Sequence, residues 1–152
     1  MDSQILKNAM KNVRPNTGTS KNVQGEEKDM EIYGHNGKIL RVDLSTHTLT
    51  EEELPETIYR RYLGGGALSL YYLLKELKPG VDPLGPESML IFAASAVTGT
   101  PALGFSRFTA AAKSPITGAF GEAEAGGWWG PELKFSGFDA ILIKGKANKP
   151  AY

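Results

Sequence analysis

From Met89 to Val97 the chain runs through apolar residues, and a run of that length suits a strand covered on both faces. Such a strand is expected to be central in its sheet. Two further strands are read at Arg107 to Lys113 and Ala140 to Lys144, separated by a glycine-rich loop and a short helix near Pro131 to Phe135. Upstream, Lys38 to Leu44 alternates in character. Leu40, Val42 and Leu44 fall on one face and Arg41 and Asp43 on the other, the pattern of a half-buried strand. Ser45 to Thr48 makes a turn, and Leu49 to Leu54 returns antiparallel, its Glu51 to Glu53 run marking a solvated edge.

Two helices are read between this hairpin and the central run. Pro55 opens the first, Ile58, Tyr59, Tyr62 and Leu63 recur at a helical period, and Gly64-Gly-Gly66 ends it. Leu70, Leu73, Leu74 and Leu77 form the apolar stripe of the second, which closes at Lys78-Pro-Gly80. The order β-β-α-α-β-β-α-β predicts an α+β fold, a mixed or antiparallel sheet with a few helices. Residues 1–31 are polar and carry few large apolar side chains. They are expected to form a flexible tail, because they bury too little surface to offset the entropy of ordering. Leu6, Ala9, Met10 and Val13 have the spacing of a short fraying helix within it. Residues 32–152 are expected to form one domain, or part of one.

Composition removes several classes of function. Seventeen basic residues balance seventeen acidic ones, which argues against a nucleic-acid binder, since such proteins neutralise phosphates with surplus Lys and Arg. The absence of cysteine excludes disulfides, zinc-thiolate sites and iron–sulfur ligation by this chain. No apolar run approaches a membrane span and the start lacks a signal-peptide core, so a cytoplasmic protein with no membrane association is expected. Neither His35 nor His47 has a second histidine or carboxylate at metal-ligand spacing, and both are read as surface residues.

Eighteen glycines make up about 12% of the chain against an average near 7%, and most fall between Gly64 and Gly145. Fourteen of the eighteen sit within three blocks. The first is Tyr33-Gly-His-Asn-Gly-Lys-Ile-Leu-Arg-Val-Asp-Leu-Ser-Thr46. The second is Tyr62-Leu-Gly-Gly-Gly-Ala-Leu68 with Leu73 to Glu87. The third and most specific runs Val97-Thr-Gly-Thr-Pro-Ala102, Ser106-Arg-Phe108, Lys113-Ser-Pro-Ile-Thr-Gly118, Gly126-Gly-Trp-Trp-Gly-Pro-Glu-Leu-Lys-Phe135, Gly137-Phe-Asp-Ala140 and Lys144-Gly-Lys146. In order and spacing these resemble the N-terminal domain of aldehyde:ferredoxin oxidoreductases. Gly66 and Ala67 depart from the Arg-Gly of the usual helix junction, which removes one cation.

The resemblance implies an N-terminal domain of that type, incomplete at its C-terminus. It implies the cofactor-binding part of an enzyme that oxidises aldehydes to carboxylic acids at tungsten or molybdenum. The cofactor would be a tungstopterin, or bis-molybdopterin, with Mg2+ between the pterin phosphates. Electrons would leave through an iron–sulfur (4Fe–4S) cluster to ferredoxin. The cluster ligands and acid–base groups are implied to lie beyond the matched region, so no catalytic residue and no metal-ligating side chain is assigned here. The remaining domains or a separate catalytic subunit become the expected partners, with ferredoxin reached through the complete enzyme, or a second copy in a homo-oligomer. Two other readings stand beside this: a stand-alone pterin-binding, carrier or interaction module, and an inactive truncated fragment.

The cofactor-binding residues expected are Arg107, Glu124, Ala125, Gly126 and Gly127. Arg107 opens a strand, a rigid place from which a guanidinium fork can pair with a phosphate or pterin edge; the alternative is an arginine exposed at a strand end. Gly126 and Gly127 precede an aromatic pair and a helix start, and glycine lets backbone approach a planar ligand; the alternative is a pair of turn glycines. The resemblance places Glu124 where the main chain helps hold magnesium, its side chain being either an added ligand or solvent-facing. Trp128, Trp129, Tyr71 and Tyr72 are read as core or interface aromatics.

Overall fold

A computed structural model describes residues 19–21, 27–29 and 34–151. The helical spacing noted from Leu6 to Val13 lies outside the described residues. Two three-residue strands, β1 (Thr19–Lys21) and β2 (Glu27–Asp29), pair antiparallel within the segment read as a tail.

The apolar run becomes β5 (Met89–Ala94), which is internal in a six-stranded sheet of order β4-β3-β8-β5-β6-β7. The other strands are β3 (Lys38–Asp43), β4 (Thr48–Glu53), β6 (Phe108–Lys113), β7 (Phe120–Ala125) and β8 (Ala140–Lys144). Only β3 and β8 pair in parallel; every other neighbour is antiparallel. With helices α1 (Glu56–Tyr62), α2 (Gly65–Glu76) and α3 (Trp129–Phe135) this is the expected mixed α+β architecture. Strand β7 replaces what the sequence reading took as a glycine-rich loop. Phe120-Gly-Glu-Ala-Glu-Ala has little intrinsic strand preference, and its pairing with β6 supplies the hydrogen bonds that propensity does not.

The two faces of the sheet are covered unequally. Helices α1 and α2 cover one face, where Ile39, Leu68, Tyr72, Met89, Ile91, Ala93, Ala111, Ala140 and Leu142 are buried. On the other face α3 covers a smaller cluster of Ala94, Leu133 and Phe138 with Leu40 and Ile141 against it. Each fully buried aliphatic side chain contributes about 1.5–3 kcal/mol, so the α2 face dominates the core.

Three readings are corrected by this arrangement. In β3 the deepest residue is Ile39, on the same face as Arg41. Arg41 is therefore not on a solvent face: beneath α2 it donates to Glu52 of β4 and Glu76 of α2. Lys144 Nζ reaches the same Glu76 at 2.6 Å. Arg41 and Lys144 together hold the Glu76 carboxyl down at about 2, against an ordinary 4.5. In α2 the buried side is Gly65, Leu68, Ser69, Tyr72 and Leu73, while Leu74 is 76% exposed and Leu70 36%. The stripe read from leucine spacing is thus split: Leu73 is in the core and Leu77 packs against it, while Leu70 and Leu74 face away. Gly65 and Gly66 also begin α2 rather than ending α1; the stop is Leu63, which adopts a left-handed conformation (φ 58°) and donates to Tyr59 O at 2.7 Å.

Gly64 fixes the junction. Its φ of +92° lies where side chains are strained, and a Cβ there would collide with the Ala94 carbonyl oxygen. This contact, with a β-bridge between Gly64 and Ser95, ties the start of α2 to the end of β5.

Candidate functional site

Strand directions bring the motif loops to one end of the sheet. The ends of β5 and β7 and the starts of β3, β6 and β8 all lie there, because β5 is antiparallel to β6 and β8, and β6 to β7. Loop 95–107 is pinned by Thr98, 4% exposed. Its hydroxyl donates to Arg107 O at 2.7 Å and accepts from Ser95 N at 2.9 Å. Gly130, in the first turn of α3, packs against the same loop; a Cβ would stand 3.0 Å from Ser106 O and 3.1 Å from Thr98 Cγ2.

All five expected residues meet on this backbone. Phe108 pairs with Ala125 and Thr109 with Glu124, which sets Arg107 beside the Gly126 turn. The Arg107 side chain is 65% exposed, and its one ion pair among the described residues is with Glu124 Oε2 at 3.7 Å, itself 56% exposed. Gly126 would bring a Cβ to 3.5 Å from Ser106 Oγ, whereas at Gly127, with φ +91°, a Cβ would meet nothing within 4 Å. Trp128 is 82% exposed beside them. Trp129 packs on Phe108 and Phe92, with ring centroids 4.4 and 5.3 Å away. With Arg107, Glu124 and Trp128 all mostly exposed, these residues form an open floor.

A second cluster at this end was not read from the sequence. Asp139 is 1% exposed and accepts from Asn36 N (2.9 Å), Gly37 N (2.9 Å), Tyr59 Oη (2.7 Å) and Lys134 Nζ (2.8 Å). Asn36 Nδ2 donates to Lys134 O, and Lys134 Nζ also to Gly34 O. One carboxylate therefore joins the segment before β3 to α1, α3 and β8. Burial pushes the Tyr59 phenol well up, and the Asp139 charge adds to this. His35 stacks on Tyr59 with centroids 4.1 Å apart. Burial lowers its pKa, and its Nδ1 is enclosed without a hydrogen-bond partner among the described residues. His35 is thus half-buried rather than on the surface; His47 is exposed, at φ 56° in the β3–β4 turn.

Among the described residues no three His, Cys, Asp or Glu side chains gather as a metal site, and no helix is long and apolar enough to cross a membrane. Residues 39–152 match the family described as "Aldehyde ferredoxin oxidoreductase, N-terminal domain". The chain belongs to the aldehyde ferredoxin oxidoreductase family. It is 48% identical over 121 residues to the tungsten-containing aldehyde ferredoxin oxidoreductase of Pyrococcus furiosus, covering 80% of this chain and 20% of that one. Against the enzyme of Thermococcus kodakarensis identity is 46% over 121 residues with the same coverage. An aliphatic sulfonate oxidoreductase, WOR-like subunit, of Pyrococcus furiosus is 37% identical over 125 residues. Among solved structures, the active site complex BamBC of benzoyl coenzyme A reductase, in complex with 1,5-dienoyl-CoA, matches with a TM-score of 0.75 and 36% identity. That match covers 77% of this chain and 18% of the other. The chain thus spans about a fifth of the length of these aldehyde ferredoxin oxidoreductase relatives.

Sequence reasoning missed the supports beneath these residues. Thr98 carried no signal of its own, since a threonine in a loop is ordinary. Glu122 did carry one. It alternates with Glu124 at strand period, and its carboxylate stands where a side chain at Gly66 would go, against the start of α2. Glycine at position 66 and glutamate at 122 therefore fit one another.

Proposed function

We propose that this chain supplies the floor of a pterin–tungsten or pterin–molybdenum site in an aldehyde-oxidising enzyme, and that other domains or a separate subunit complete it. The observation that carries this reading is the convergence of Arg107, Ala125, Gly126 and Gly127 on one exposed, rigidly supported sheet end. Arg107 offers a planar fork of donors suited to a phosphate or a pterin edge. Gly127 leaves open the space a side chain would fill, so a flat ring can approach the main chain. Glu122 and Glu124 would repel bare phosphates, and a divalent cation such as Mg2+, which favours oxygen ligands, reconciles the two. The donor set thus fits the cofactor with its ion.

Relatives named for an aldehyde, an aliphatic sulfonate and benzoyl-CoA share this part of the chain. A region common to enzymes of such different substrates is suited to hold a shared group, and the substrate pocket belongs elsewhere. Bound here, the metal centre would supply the redox chemistry. The role of this chain is to bind, orient and shield it: Arg107 as the cationic clamp, Gly126 and Gly127 as the contact surface, Thr98 as the group that fixes Arg107. No acid–base residue is assigned to it, and the iron–sulfur cluster, ferredoxin contact and cytoplasmic setting follow from the completed enzyme.

The test is co-expression with the remaining four fifths of the Pyrococcus furiosus relative, followed by tungsten, pterin and phosphorus content per chain. Stoichiometric content that falls on Arg107→Ala, with unchanged circular dichroism, is the expected result. Full retention in that variant would overturn the role of Arg107. Stoichiometric cofactor on the isolated chain would instead favour a stand-alone holder.

A further inference from the structure

The outward side of α2 is unpartnered among the described residues, and its chemistry points to what covers it. Leu70 and Leu74 form a ridge on that side with Tyr71 and Leu77 next to it, opposite the buried Leu68 and Tyr72. Apolar side chains on the outward as well as the inward side of a helix are the pattern of one covered on both sides by protein. A groove lies on each side of the ridge, of about 470 and 460 Å³. One extends to Phe120 at the start of β7 and the other to Tyr62 at the end of α1.

The charge around this surface is one-sided. The charged residues lining the two grooves are Lys75, Lys78 and Lys113, with no carboxylate, although the chain has seventeen of each sign. Lys75 Nζ lies over the Tyr71 and Tyr72 rings at 5.4 and 5.7 Å. Lys113 Nζ donates to Val81 O at 2.6 Å. Neither Lys75 nor Lys78 has an ion pair among the described residues. A rim of this kind favours a partner with carboxylates around an apolar stripe, through complementary fields.

We propose that the Leu70–Leu74 ridge is the docking surface for an acidic amphipathic segment of the four fifths of the family enzyme that this chain does not span. This rests on the reading that such a portion completes the site. Aliphatic side chains of the segment fill the two grooves, and its carboxylates face Lys75, Lys78 and Lys113. The surface lies on the outer side of α2, apart from Arg107 and Gly127, so docking and cofactor retention can be separated.

The chain has no cysteine, so Leu74→Cys introduces a unique thiol, and Leu84→Cys, at a residue 79% exposed in the loop before β5, is the control. In the co-expressed complex the Leu74→Cys thiol should react with maleimide at least about tenfold more slowly than in the isolated chain, as a covered group does, while the Leu84→Cys thiol keeps its rate. Lys75→Glu with Lys78→Glu should lower the yield of complex, and added salt should weaken the wild-type complex by screening. A complex with Leu74→Cys as reactive as in the free chain overturns the proposal and leaves the cofactor reading standing. Protection that grows with concentration in the isolated chain assigns the ridge to a second copy, and protection lost on deleting residues 1–31 assigns it to the chain's own N-terminal segment; either overturns it. The Arg107→Ala complex should lose cofactor yet keep Leu74→Cys protected. No complex with the wild-type chain counts against both readings.

Discussion

The β3–β8–α2 side and the β6–β7 end of this sheet treat their charges in opposite ways. On the first, Arg41, Glu52, Glu76 and Lys144 bind one another beneath α2, and Asp139 accepts from four donors at 1% exposure. On the second, Arg107 and Glu124 stand mostly in solvent, 3.7 Å apart. Charges that satisfy one another inside a fold hold elements in place, whereas an exposed pair is worth little to stability and stays free for a ligand. The backbone beneath Arg107 is nonetheless fixed by Thr98 and Gly130, so mobility of the side chain does not mean mobility of its base.

Asp139→Ala should break this contrast most severely. It would leave Lys134, with a side chain 11% exposed, without its counter-charge, and losing one member of a buried pair costs about 3–5 kcal/mol. Urea denaturation would measure it, and a loss under about 1 kcal/mol would show that water or the His35 side takes over.

Glu76→Gln comes next, at about 2 kcal/mol for hydrogen bonds to charged groups. The sign with pH follows from the lowered carboxyl. With a folded value near 2 against 4.5, Glu76 contributes stability that is fully present above about pH 4.5 and lost as pH falls toward 2. The variant should therefore flatten the stability curve across that window, and an unchanged acid limb would rule out the Arg41–Lys144 network as its source.

A smaller effect is expected for Tyr72→Phe, which removes the 3.1 Å hydrogen bond to Glu52 but keeps the ring in the core. About 1 kcal/mol is the scale of one such bond, readable from the thermal midpoint. Arg107→Ala sharpens the comparison from the other side. Its stability should stay within about 0.5 kcal/mol of wild type, as for surface substitutions, while cofactor content of the completed enzyme falls.

The sequence read well wherever a local pattern and the tertiary environment agreed. The apolar run at Met89 suits an internal strand, the Leu40–Val42 alternation a strand and Pro55 a helix start, although the alternation did not reveal that the deeper face is that of Ile39 and Arg41, nor the run that Leu90 stays 40% exposed. The candidate floor was proposed from its glycines, its arginine and the family spacing, and the sheet brings Arg107 beside Gly126 through the β6–β7 pairing. Strand β7 was not, since Gly121 and the alanines around it say nothing about pairing until β6 lies alongside. The orientation of α2 failed for a related reason. Its residues Leu70, Leu73, Leu74 and Leu77 form a good stripe, but Leu68, Tyr72 and Leu73 form another, and spacing cannot choose between two apolar faces.

By itself, then, the sequence determined the family and every element of the six-stranded sheet and its helices but β7, and it supplied candidates for meeting a ligand. Only the tertiary structure decided which face of α2 is buried, that Asp139 joins the segment before β3 to α1, α3 and β8, and that Glu122 occupies the space left by Gly66. Those depend on contacts between different elements, such as Asn36 and Tyr59 with Asp139 and Gly66 with Glu122, whose meeting is set by sheet order and register and is written in no local period.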